Sequence, residues 1–122
     1  MHNTGSIDSI ATVIFMAGDE RYACENSSFL FHGVAVGPIN ERCTLNRINE
    51  IQSSLKEDQN KIAGIISSNC DLKKTDIKEL FRQGETKNLD FAKSNNIITD
   101  IKPANIMDKT KLITINLPPT IR

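Results

Sequence analysis

The chain has 122 residues, 39% of them apolar and 25% charged, enough for one modest domain with a small core. Fifteen basic and fifteen acidic residues cancel, which excludes the strong positive footprint of a nucleic-acid binder or of a protein drawn to an anionic membrane. No apolar run approaches the roughly 20 residues that cross a bilayer, and Met1-His2-Asn3 is not the charged start of a signal peptide.

In chain order, Asp8 or Ser9 is positioned to cap a helix running to Ala17, with Gly18 as its stop. Ile10, Ala11, Val13, Ile14, Phe15 and Met16 leave it almost no polar face, so burial on most sides is expected. No strand pattern precedes this helix, because Thr4-Gly5-Ser6-Ile7 is too short to begin one alone. Arg21–Ala23 and Ser28–Phe31 read as short strands around a turn at Glu25-Asn26-Ser27, and Gly33 to Asn40 reads as a loop.

The longest helical signal runs from Thr44 to Ser67, where Ile48, Ile51, Leu55, Ile62 and Ile65 recur at helical spacing. That stripe is either core or a contact between copies of the chain. Thr75 is expected to cap a second helix carrying Ile77, Leu80 and Phe81, closed by Gly84. Asn88 opens a third, which closes at Asn95-Asn96. Ile97–Ile101 reads as a strand ended before Pro103, and Lys111–Leu117 as another halted by Pro118-Pro119. This order predicts an α/β layered domain. Cys24, Cys43 and Cys70 are odd in number, widely separated and accompanied by only two histidines. They predict free thiols in a reducing cytoplasm, with no metal site and no cofactor.

A serine hydroxyl needs a base before it becomes a nucleophile, and the mouth of a helix favours the negative charge that then develops. Ser9 stands at such a mouth, although Gly5-Ser6-Ile7-Asp8-Ser9 is not the G-x-S-x-G elbow. His32 ends the apolar run Phe29-Leu30-Phe31 and is followed by Gly33. Taken singly, the serine reads as a helix cap and the histidine as structural; spacing does not pair them.

A resemblance does. Gly5-Ser-Ile-Asp-Ser9, the apolar helix after it and its Ala17-Gly18 close resemble the nucleophile segment of the Clp protease proteolytic subunit family. Arg21-Tyr22, Asn26-Ser27, the apolar strand and His32 are similar to that family's Arg-aromatic, Pro-Asn-Ser, strand, His run, with Glu25 in place of its proline. Asn88 to Ile101 resembles the family's closing pattern, and the Thr44–Ser67 helix takes the place of its handle helix.

The resemblance implies a single domain of the Clp-protease/crotonase-like spiral fold over residues 1–122, lacking the family's N-terminal side and carrying a C-terminal extension from 102. It implies a serine endopeptidase with Ser9 as nucleophile and His32 as base. Polypeptide would be the substrate, a homo-oligomeric double ring the assembly, and a Clp-type ATPase the partner. Two departures qualify this. The family's triad Asp aligns with Gly84, so the third member falls to Glu85. The Gly-rich oxyanion loop lies before the nucleophile segment, where this chain has almost nothing, and one lost oxyanion donor costs on the order of 100- to 1,000-fold. These departures motivate a second expectation, a non-catalytic assembly or regulatory subunit. A third is a crotonase-type acyl-coenzyme A binder, which would use backbone donors.

Overall fold

Short strands, each too small to stand alone, are assembled into two ladders by segments distant in sequence. The computed structural model describes residues 1–40 and 42–105, so the expected strand Lys111–Leu117 lies outside the described residues. The order is β1 (His2–Asn3), β2 (Ser6–Asp8), α1 (Ile10–Met16), β3 (Tyr22–Ala23), β4 (Ser28–Leu30), α2 (Leu45–Ser67), α3 (Lys74–Gln83), β5 (Thr86–Lys87), α4 (Leu89–Ser94) and β6 (Asp100–Ile101). This is an α/β fold. One sheet has the order β1-β3-β6, all parallel; the other has β2-β4-β5, with β2 parallel and β5 antiparallel to β4. The segment before α1 thus gives one strand to each sheet, and the segment after α1 lays a second strand beside each.

Two strands therefore precede the first helix, contrary to the sequence-based expectation. Their existence rests on partners rather than on local pattern. Asn3 is buried, donates its amide to Ser28 O at 3.0 Å and accepts from the Gly5 amide at 3.0 Å. A polar residue that holds a turn and a neighbouring strand does not register as a strand former.

The helix α1 buries Thr12, Phe15 and Met16, with Phe15 tilted against Phe29 of β4 at 5.3 Å between ring centroids. Its opposite face is open, not buried as expected: Ile10 is 58% and Ile14 59% exposed. In α2, Thr44 caps by accepting from the Arg47 amide at 3.2 Å. The helix is 23 residues and about 34 Å long. Its apolar stripe is only partly core, because Ala63 and Ile66 are buried while Leu45 and Ile48 are exposed.

The helix α3 begins earlier than expected: Lys73 is its N-cap, and its amide donates to Asp76 Oδ2 at 3.0 Å, whereas the Thr75 hydroxyl bonds the same carboxylate. Gly84 closes it at φ 61°, ψ 30°, the left-handed geometry that glycine adopts without cost. Asn88 caps α4 by accepting from the Phe91 amide at 3.0 Å, and Asn96 takes the positive φ that follows it. Ile97 and Ile98 are buried but not extended, because both amides bond back to Ala92 O; only Asp100–Ile101 pairs as strand. No helix among the described residues is long and apolar enough to cross a membrane.

Candidate active site

Ser9 is the hinge between β2 and α1. Its backbone stands at φ 58°, ψ −126°, a positive φ that a residue with a Cβ rarely adopts. The conformation is fixed from both sides. The Ser9 amide donates to Leu30 O at 3.0 Å, while its carbonyl accepts from the Thr12 amide at 3.1 Å and from the Thr12 hydroxyl at 2.6 Å. Thr12 is buried, the one polar side chain in an otherwise apolar run. Strain that its surroundings over-determine in this way is a mark of functional positions. The Ser9 hydroxyl makes no capping bond to its helix, so it is free to face outward. The order is strand, strained serine, helix, without the G-x-S-x-G spacing.

His32 follows β4 by one residue after Phe31. The parallel register Ser6↔Ser28, Ile7↔Phe29, Asp8↔Leu30 brings together the ends of β2 and β4, from which Ser9 and His32 continue. Both residues line one cavity of about 320 Å³, together with Ile10, Thr12, Gly33, Val34, Ala35, Ile62 and Phe81. His32 is exposed, and its Nδ1 lies 2.8 Å from the Gly33 carbonyl oxygen. A carbonyl can only accept, so Nδ1 carries a proton, and in the neutral imidazole Nε2 is the nitrogen left as acceptor.

Glu85 is not among the residues lining that cavity. It is exposed, and its Oε2 accepts from Lys87 Nζ at 2.9 Å. The structure thus does not bring Glu85 to the cavity, and the partner it gives His32 is the Gly33 carbonyl, which no side-chain pattern could have revealed. Thr12 was also passed over; a hydroxyl three residues after a candidate nucleophile was the available signal. Among the described residues no group of three or more His, Cys, Asp or Glu side chains is placed to hold a metal ion.

No protein-family model and no curated protein matches the chain. Among solved structures, it is similar to a peptidase from Plasmodium falciparum, with a TM-score of 0.63 and 23% sequence identity over 84% of this chain. The match covers 56% of that peptidase, so the chain spans little more than half its length. At such identity the likeness establishes the shared α/β fold. The chemistry rests on the site.

Proposed function

We propose that this chain is a serine-type endopeptidase subunit of the Clp protease kind, on the spiral fold which that family shares with crotonases. The observation that carries the reading is the cavity lined by both Ser9 and His32, with Ser9 strained at a strand-to-helix turn. His32 Nε2 takes the Ser9 proton as Oγ attacks a peptide carbonyl, and returns it to the departing amine; water then releases the acyl-enzyme. The Gly33 carbonyl holds the tautomer that this sequence needs. Ile10, Val34, Ala35, Ile62 and Phe81 make the cavity walls largely apolar, which suits an apolar side chain beside the bond that is cut. The same reading makes the subunit one member of a homo-oligomer served by a Clp-type ATPase, with the exposed Leu45 and Ile48 of α2 at the contact between copies.

A fluorophosphonate probe tests the chemistry directly. Native protein is expected to be labelled at Ser9, and Ser9→Ala protein to stay unlabelled. If native protein remains unmodified while a Clp-type peptidase labels in the same tube, catalysis by this chain is ruled out, and a non-catalytic subunit of the same fold takes its place.

A further inference from the structure

Thr12 has no step in the proposed reaction, yet it is buried in the apolar run of α1 and lines the same cavity as Ser9 and His32. A buried hydroxyl needs a partner, and on a helix it can find one in the carbonyl three or four residues back. Here that carbonyl belongs to Ser9, and the Thr12 hydroxyl donates to it at 2.6 Å.

The direction of this bond sets α1 apart. At the start of each other helix a side chain accepts from a backbone amide: Thr44 from Arg47 N, Asp76 from Lys73 N and Asn88 from Phe91 N. The cap residues Thr44, Lys73 and Asn88 have ordinary backbones, with φ −76°, −73° and −85°. Serine is among the best residues for such a cap, where its hydroxyl would be tied to an amide of the first turn. Ser9 does not take that form. Its φ is 58° and its side chain makes no cap bond. The Thr12 amide, which stands where Arg47 N and Phe91 N stand in α2 and α4, donates to the Ser9 carbonyl at 3.1 Å. Both donors of Thr12 are thus engaged by the Ser9 backbone, and neither by its hydroxyl.

We propose that Thr12 is a positioning residue that keeps Ser9 from becoming an ordinary helix cap. Its amide and hydroxyl together hold the Ser9 carbonyl in the strained conformation, so the Ser9 hydroxyl stays unbonded to the helix. Without the Thr12 hydroxyl one bond fewer opposes the strain. The extended cap, with Ser9 Oγ accepting from the amide at position 12, then becomes the lower state. The effect on acylation rests on the serine-peptidase reading; the choice of conformation at Ser9 does not.

The experiment follows both on the full chain: the Ser9 Cα and Cβ chemical shifts by NMR, which report its backbone conformation, and the rate of fluorophosphonate labelling. Thr12→Val keeps the shape and removes the donor. Its Ser9 shifts are expected to move toward those of an extended N-cap serine, and labelling to slow about tenfold or more. Thr12→Ser returns the hydroxyl, and should bring back the shifts and a rate within about threefold of wild type. Wild-type protein whose Ser9 already shows extended-cap shifts overturns the proposal with no variant needed. So do Ser9 shifts that Thr12→Val leaves in place, or a labelling rate that stays within about twofold when they move. If native protein never labels, the peptidase reading falls, and the shifts alone decide whether Thr12 sets the conformation of Ser9.

Discussion

A positive φ at a residue with a Cβ costs of order 1–3 kcal/mol, and Ser9 carries that cost at φ 58°. Glycine has no such penalty, so Ser9→Gly should raise the free energy of unfolding by about 1 kcal/mol in urea titration while abolishing fluorophosphonate labelling. A stabilised, unreactive variant is the signature of strain kept for chemistry; a destabilised one would mean the geometry is ordinary packing. In the proposed mechanism His32 is oriented by the Gly33 carbonyl, 2.8 Å from its Nδ1, which substitution cannot remove. Acylation of Ser9 should therefore fall on the order of 100-fold or more in His32→Ala and stay within about twofold of wild type in Glu85→Gln. The serine and histidine were legible because each sits in a motif of recognisable residue types. The carbonyl was not, since every residue has one and only the folded path of the chain aims it.

Arg21 gathers the ends of three helices. It is 8% exposed, and its guanidinium donates to the carbonyls of Gly18 after α1, Asn69 after α2, and Asn96 and Ile97 after α4, at 2.8–2.9 Å. Helix C-termini present unsatisfied carbonyls and the negative end of the dipole, so one planar cation serves all three. Arg21→Met should lower stability by about 3 kcal/mol or more in urea titration, and Arg21→Lys should recover little of it, because an ammonium cannot fork to four oxygens. On α3, the bonds from Arg82 hold the exposed Glu79 carboxyl down to about 2 from its ordinary 4.5. A depressed carboxyl adds stability above its unfolded value and loses it as pH falls. The melting temperature of wild type should thus drop between pH 4.5 and about 2 by a component that Glu79→Gln lacks. Caps and helix lengths were readable from Thr44, Gly84 and Asn88, which act through local bonds. The strands before α1 and the shortness of β6 were not, because their partners lie at least twenty residues away in the chain.

At the scale of the molecule, the described residues leave apolar surface exposed at Ile10 and Ile14 on α1 and at Leu45 and Ile48 on α2. If α2 carries the contact between copies, Leu45→Glu with Ile48→Glu should shift the protein to monomer in light scattering at tens of micromolar. The fold should be intact by circular dichroism, since both positions are exposed. The α/β class was legible from the alternation of elements, whereas the division into two ladders required knowing which distant segments pair. The bond from the Ser9 amide to Leu30 O joins the strand pair at the end from which the chain runs on to Ser9 and His32. The residues proposed as nucleophile and base are therefore indexed to each other by the β2–β4 register, like teeth on one rack. A short insertion grafted at the exposed Asp19-Glu20, outside β3 and the bonds of Arg21, should therefore leave Ser9 and His32 in step.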